Sequence, residues 1–374
     1  MIYVSAGHIH RQYINYLGWE LDFTGAQMVL TMKLYSLAYN LYDGHVLASG
    51  TDNRASKKCA DVAVDTLPGI IEYLGYTFCF ATVLVGPAYE YKAYAGACDG
   101  TKIYDKQGKP RGKIPHWFLP TLKPFLVSVL CLGAFVVGNA KYPLLDPMDS
   151  QNLVPVVLRP EFLAQPWLYR YFYAWFALFC IRQRYYFAWK NSEGASNIWY
   201  AGFDGFDKEG NALGWDSSSN IDIWDFETAP NVKILSSAWN KKTANWLSKY
   251  VYIRTGGSLV ATYAMSAFWH GFYPGYYLFF LSIPLLTYCE RVGRIKLNPR
   301  FCKSGKKWSI YGILTILSTS LMVQYMVLPF QLQSFEWSIS CWRSHYFFGH
   351  ILPLVFYVIV STISTPKDVS LKKE

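Results

Sequence analysis

The feature that most restricts what this chain can fold into is a series of long apolar blocks. Residues 122–140 include Phe125-Leu126-Val127-Ser128-Val129-Leu130 and no acid. Residues 308–330 and 347–364 are similar, and 69–86, 163–180 and 258–288 are further apolar blocks. Crossing ~30 Å of hydrocarbon takes ~20 mostly apolar residues in a helix. A core helix of a soluble protein is shorter and polar on one face. These blocks are apolar all round, so the expected class is an all-α polytopic membrane protein. The overall apolar share, 52%, would not separate a membrane protein from a soluble one; the clustering does.

Aromatic residues make up 18% of the chain, and many sit at block edges, among them Trp167, Tyr169, Tyr185 and Trp189. Such rings, apolar in body and polar at the tip, suit the headgroup level. The net charge is +10, concentrated in residues 102–113 and 291–307, between apolar blocks rather than along one helix face. That distribution disfavours nucleic acid as a partner and marks cytoplasmic loops. The eight cysteines include no C-x-x-C pair, which argues against a disulfide framework or structural zinc. His8-x-His10 is a possible metal pair, but it lacks two further ligands, so no metal site is expected. The first residues do not read as a signal peptide, and 371–374 reads as a solvated tail. No internal repeat is evident.

Residues 26–42 read as a helix in or near the bilayer. Residues 141–160 form a Pro-rich connector, and 191–237 are the longest polar insertion, with Trp199, Phe203, Phe206, Trp215 and Trp224 interleaved. Such a composition argues for order. Residues 236–253 carry Trp239, Trp246, Leu247, Tyr250 and Val251 at helical spacing. They read as one amphipathic helix at the membrane surface, with Asn240 on or beside its apolar face. Residues 191–257 thus form a polar loop plus surface helix.

The block 258–288 is too long for one simple span and too short for two. Gly271, Pro274 and Gly275 break it just after His270. If it enters and returns, the basic segments 102–113, 182–254 and 291–307 share one side, so a broken hairpin is expected. From Gly257 to His270 a helix rises ~20 Å, past the midplane of the core. An ionisable group at that depth is a functional hypothesis by default, the alternative being a histidine that only packs helices. A neutral imidazole can take a proton from a hydroxyl near neutral pH. There is no G-x-S-x-G nucleophile motif, so direct attack of a hydroxyl on a thioester is simpler than an acyl-enzyme route. The Asn240 amide could hold a reacting group or stabilise developing charge, the alternative being a helix-terminal polar residue.

At these residues the chain resembles the membrane-bound O-acyltransferase family, in its lysophospholipid acyltransferase branch. The tracts that carry the likeness are residues 18–25 (GWELDFTG), 80–91 (FATVLVGPAYEY) and 185–190 (YYFAWK). Trp239-Asn240 with Trp246-Leu247 is similar to the family's asparagine motif. Trp269-His270-Gly271 with Pro274-Gly275-Tyr276-Tyr277 is similar to its histidine motif. The resemblance implies a single membrane acyltransferase domain over 1–374, a helical fold around an intramembrane catalytic chamber, and the endoplasmic reticulum membrane as location. It implies acyl-CoA as co-substrate with no bound cofactor, and a lysophospholipid as acceptor. His270 would be the general base and Asn240 its partner, with Trp239, Trp269, Tyr276 and Glu193 as substrate contacts. The rival expectations are a protein or neutral-lipid acceptor, or a catalytically inactive lipid-binding relative. Two departures are visible. Asn240 and His270 stand only 30 residues apart, closer than is usual in this branch. Family members also begin with further membrane helices, so a shortened or incomplete form is expected.

Overall fold

A computed structural model describes residues 1–18, 23–145, 154–301 and 308–364. Parts of four segments read above, namely 19–22, 146–153, 302–307 and 365–374, lie outside the described residues. Among those described the regular structure is helical, with two isolated β-bridges and no strand.

Two of the apolar blocks form helices long and apolar enough to cross a membrane: α3 (Phe118–Lys141) and α8 (Ile310–Leu332). A third crossing arises if α9 (Phe335–Ser344) and α10 (Phe348–Ser361), bent by 61° at the break, form one span. Leu130 of α3 is 74% exposed and Val358 of α10 63%. Exposed apolar faces of this kind would be an aggregation liability in water and are at home against lipid.

The block 69–86 departs from expectation. Its helix covers only Ile70–Thr77 and then gives way to turns. The reason is tertiary. Lys33 Nζ donates to the carbonyls of Tyr76 and Thr77 and to Thr82 Oγ1, and Ser192 Oγ donates to the carbonyls of Ala81 and Gly86. Carbonyls taken by side chains need no helical partner. The block 163–180 feeds a longer helix, α4 (Trp167–Asn197), which carries Arg170 inside the apolar run and Arg182, Arg184 and Lys190 beyond it.

The block 258–288 is broken where expected. Helix α6 (Leu259–His270) has 12 residues, ~18 Å at the usual rise and too short to cross alone. A new helix, α7, starts at Pro274 and continues to Phe301, well beyond Tyr288.

Contacts divide the chain into two compact units. The first comprises Met1–Ala134, Gln183–Asp222 and Trp239–Gly271; the second comprises Phe135–Arg182, Ile223–Ala238 and Phe272–Glu374. In the first unit α1 (Ile2–Ile14) packs on α2 (Thr24–Ala48). Its aromatic core joins Met32 of α2 with Trp246, Tyr250, Val251 and Trp269. Each such aromatic side chain buries ~150–250 Å², worth several kcal/mol at about 25 cal/mol per Å². In the second unit α7 packs against α8 and α10. An open cleft of about 1040 Å³ lies there, lined by Leu286, Met322, Leu352 and Phe356 with Arg294 and Tyr311.

The polar insertion is ordered and holds one copy of a repeat that the sequence reading does not detect, the other copy lying in the earlier basic loop. Residues 104–112 (YDKQGKPRG) and 206–214 (FDKEGNALG) form equivalent tight hairpins. Each has one β-bridge, Tyr104 to Pro110 and Phe206 to Ala212. Asp105 Oδ1 accepts from the N–H groups of Gln107 and Lys109; Asp207 Oδ1 accepts from those of Glu209 and Asn211. The hairpins dock on each other, so closely that a Cβ on Gly112 would lie 2.2 Å from the Gly210 carbonyl oxygen. At nine residues, and with few identities, the repeat is too short to stand out before the turns are seen.

Candidate active site

The site is built in the first unit, starting from a break in the chain. Residues 236–253 are not one helix. A short helix, Val232–Ala238, ends before Trp239, and α5 (Lys241–Leu247) begins after Asn240. Between them Asn240 adopts the left-handed conformation, φ 45° and ψ 49°. Asn tolerates this region better than most non-glycine residues. The expectation of an amide lying beside an apolar helix face is therefore corrected: Asn240 is a junction residue. It precedes the first turn of α5, but its side chain does not cap that turn.

Asn220 takes over the capping. Its carbonyl accepts from Lys241 N–H at 2.9 Å and its Oδ1 from Lys242 N–H at 2.9 Å. Its Nδ2 donates to Asn240 Oδ1 at 3.0 Å. One residue thus satisfies two orphan donors of the helix start and orients Asn240. Asn240 Oδ1 is occupied as an acceptor, so the Nδ2 end is the part of this amide with donors to offer. Asn220 is 2% exposed and sits in a run of buried polar residues, Ser218-Ser219-Asn220. Ser218 donates to Asn197 Oδ1, and Asn197 Nδ2 donates to the Pro120 carbonyl.

Trp239 packs edge-on against Trp189, with ring centroids 4.9 Å apart, and near Tyr185 and Tyr186. After α5 the chain makes a π-helical turn, Ser248–Tyr252. Such turns insert an extra residue and often mark functional sites. The Trp246 ring meets the Trp269 ring at 6.5 Å, which links the segment that follows Asn240 to the helix that carries His270.

His270 is the last residue of α6. Its Nδ1 lies 2.7 Å from the Ser266 carbonyl oxygen, one turn back. A carbonyl can only accept, so Nδ1 carries the proton and the lone pair of the neutral ring is on Nε2. The ring stands edge-on to Trp269 at 4.8 Å. Gly271 follows with φ 122° and ψ −165°, a region open essentially to glycine alone. Its Cα faces the ring of His8, and a Cβ there would lie 3.2 Å from that ring. His8 Nε2 in turn donates to the Trp269 carbonyl at 3.0 Å, which satisfies an end-of-helix acceptor. His8 is therefore a support for the His270 turn, where the sequence suggested half of a metal pair. Among the described residues no three His, Cys, Asp or Glu side chains form a metal-holding group.

A second polar cluster braces the π turn. Tyr250 Oη donates toward Glu90 Oε2 at 2.7 Å and lies 2.6 Å from Asn40 Oδ1, while Asn40 Nδ2 donates to Glu90 at 3.1 Å. Arg254 grips the fully buried Asp43 through two nitrogens, at 2.6 and 3.2 Å, and stacks on Tyr39.

The candidate residues are distributed as follows. Asn240, Trp239, Trp269 and His270 belong to the first unit. Glu193 is also there, ion-paired with Lys190 at 2.8 Å. Tyr276 belongs to the second unit, where its hydroxyl accepts from Gln333 Nε2 at 3.0 Å and its ring packs on Phe330. Asn220 and His8 are the supports that sequence reasoning missed. Nothing in their spacing signals them, since their partners lie 20 and 261 residues away.

A family profile described as membrane-bound O-acyltransferase matches residues 11–323. The chain belongs to the membrane-bound O-acyltransferase family. It is 32% identical to a lysophospholipid acyltransferase of Schizosaccharomyces pombe over 91% of this chain and 67% of that protein. It is equally similar, at 32%, to lysophospholipid acyltransferase 6 of Drosophila melanogaster, over 96% of this chain and 50% of that protein. Membrane-bound glycerophospholipid O-acyltransferase 2 of Gallus gallus is also 32% identical, over 98% of this chain and 70% of its own length. The chain thus spans 50% to 70% of the length of these relatives. The match to 11–323 takes in both Trp239-Asn240 and Trp269-His270-Gly271.

Proposed function

We propose that this O-acyltransferase family member is an acyl-CoA-dependent lysophospholipid acyltransferase of the endoplasmic reticulum membrane. The observation that carries the reading is the His270 tautomer, with Nδ1–H held by the Ser266 carbonyl and the lone pair on Nε2. The names of the relatives favour a lysophospholipid as acceptor.

In this mechanism the acceptor hydroxyl gives its proton to Nε2 as its oxygen bonds to the thioester carbon. The carbonyl π electrons move onto oxygen, and the Asn240 Nδ2 donates to the charge that develops there. The C–S bond then breaks, the electron pair leaves with sulfur, and the imidazolium returns the proton to the thiolate. The protein needs no cofactor for these steps. Half-buried Trp239 offers an apolar face for the acyl chain, Trp269 anchors the His270 turn from the aromatic core, and the Nδ1 hydrogen bond keeps the imidazole from turning.

The test is expression in membranes that lack endogenous activity, supplied with labelled oleoyl-CoA and a panel of lysophospholipid, neutral-lipid and peptide acceptors. Wild type should label a lysophospholipid, and His270→Ala should lose about a hundredfold or more of that rate. Equal labelling by both proteins would remove His270 from the mechanism. Label appearing only in a peptide or neutral lipid would reassign the acceptor, and binding of oleoyl-CoA without turnover by wild type would mark a lipid-binding relative.

A further inference from the structure

The second unit holds a buried cation without a protein counter-charge among the described residues. Arg170, in the first turn of α4, is 8% exposed, and its guanidinium makes no hydrogen bond or ion pair among those residues. Arginine does not escape burial by giving up its proton, so an unpaired guanidinium there is costly. The described acids of the unit do not answer it. Glu227 and Glu290 pair with Arg182 and Arg294, and Glu161, Asp225 and Glu336 are exposed.

Two more polar atoms beside it share this condition. Trp167 Nε1, Arg170 Nε and His345 Nε2 are each buried and without a hydrogen-bond partner among the described residues. Ring contacts bring these groups together. Trp167 and Tyr171, one turn apart on α4, have centroids 6.4 and 6.0 Å from that of His345, and 5.4 and 5.0 Å from that of Phe348. Arg170 is the i+3 neighbour of Trp167, so its side chain rises beside the same ring. It also acts electrostatically on His345 and on buried Cys341. His345 is fully buried at the break between α9 and α10, with Nδ1 2.9 Å from the Cys341 carbonyl oxygen. Nδ1 therefore carries a proton, and Nε2 is open to a second one. The N-terminus of α4 adds partial positive charge, and no acid stands in its first turn.

We infer that Arg170, Trp167 and His345 seat the phosphate of a diacylated bilayer phospholipid, a resident lipid rather than the acceptor, since its glycerol hydroxyls are already esterified. A phosphate supplies the counter-charge and strong acceptors for all three groups. The surroundings favour a lipid over a free ion. In the bent pair α9 is the polar half, with Glu336 and Arg343 exposed, and α10 is the apolar half, with Ile351, Val355 and Val358 exposed. The break at His345 lies where the two halves meet, and phosphates sit at such a boundary in a bilayer. Leu168 and Phe172, which flank Arg170 on α4, are exposed as well, so acyl chains find apolar surface beside the phosphate.

The test uses the full chain, stripped of lipid by detergent exchange. Thermal unfolding in micelles is followed as dioleoylphosphatidic acid, dioleoylglycerol or inorganic phosphate is added. The two lipids differ only in the phosphate. Wild type should gain in midpoint with dioleoylphosphatidic acid and not with dioleoylglycerol, and inorganic phosphate should need about a tenfold higher concentration or more for the same gain. Arg170→Met should raise the half-saturating level of the phosphatidic acid about tenfold or more, and Arg170→Lys should recover part of the loss. In the lipid-free state Arg170→Met should unfold at or above the wild-type midpoint, because an unpaired buried cation has gone. Trp167→Phe keeps the ring and removes one donor, so it should weaken the lipid about two- to fivefold, and it decides the matter if Arg170→Met does not fold. An equal response of wild type and these variants to the phosphatidic acid overturns the seat. Inorganic phosphate acting at the same concentration as the lipid overturns the lipid as occupant. If lipid-free Arg170→Met is destabilised, and Asp146→Asn or Asp149→Asn costs as much without adding to it, the counter-charge is a carboxylate of this chain and the inference fails.

Discussion

Replacing Asn220 by alanine tests whether the site is organised as described. The change removes the donor to Asn240 Oδ1 and the acceptor for Lys242 N–H, and spares the carbonyl that accepts from Lys241. Each hydrogen bond contributes about 1 kcal/mol net, and a buried group left unsatisfied costs about 1–3 kcal/mol. With Asn220 only 2% exposed, water does not readily replace it, so a loss of about 2–4 kcal/mol of stability is expected. Activity should fall further than stability explains. The left-handed conformation of Asn240 costs about 1–3 kcal/mol and persists only while its surroundings hold it. Once released, Asn240 no longer presents its amide, and loss of such a donor lowers kcat about a hundredfold. Asn220→Asp separates the two effects. A carboxylate still accepts from Lys242 N–H but sets oxygen against Asn240 Oδ1, so it should keep more stability than Asn220→Ala and still lose turnover. The assay pairs thermal unfolding in micelles with oleoyl transfer to a lysophospholipid, and Ser219→Ala serves as the neighbouring buried control. If Asn220→Ala loses stability yet keeps wild-type turnover, the orientation of Asn240 does not depend on this amide and the reasoning is wrong.

Three further outcomes follow from the same geometry. Gly271→Ala should cost about 1–3 kcal/mol from its backbone conformation alone, plus the close approach to the His8 ring; His8→Ala alone loses its bond to the Trp269 carbonyl, so the second part should appear only as the coupling between the two changes in a thermal-unfolding double-mutant cycle. Lys242 titrates near 8 when folded and near its ordinary value of 10.5 when unfolded, so the unfolded chain holds the extra proton between those values. Wild-type stability should therefore rise with pH from about 8 to about 10.5 relative to Lys242→Met, which should be the more stable protein below that window; parallel stability curves would exclude the lowered titration of this half-buried lysine. Arg254→Met leaves Asp43 buried without its cation and should cost about 3–5 kcal/mol, whereas Asp43→Asn combined with Arg254→Met should regain most of it in a thermal-unfolding double-mutant cycle.

What the sequence determined by itself is what neighbours along the chain decide. Residues 122–140 and 308–330 read as membrane helices because an unbroken apolar run both favours lipid and satisfies its own backbone as a helix; α3 and α8 match them closely. The break after His270 was legible for a similar reason, since Gly271 and Pro274 impose their conformations locally. The histidine and asparagine motifs pointed to the family, and the profile match bears that out. Tertiary structure decided the rest through partners far away in sequence. Residues 69–86 are as apolar as a span, yet Lys33 and Ser192 take their carbonyls and end the helix at Thr77. Helical spacing across 236–253 suggested one helix, but the Asn220 amide starts a new one after Asn240. His8 had no assigned role in the sequence, where a metal pair with His10 lacked further ligands, until its partner, the Trp269 carbonyl 261 residues on, was in view. A hydrophobic run carries its own instruction, whereas a buried polar group takes its meaning from whichever group meets it, and only the folded chain brings that group near.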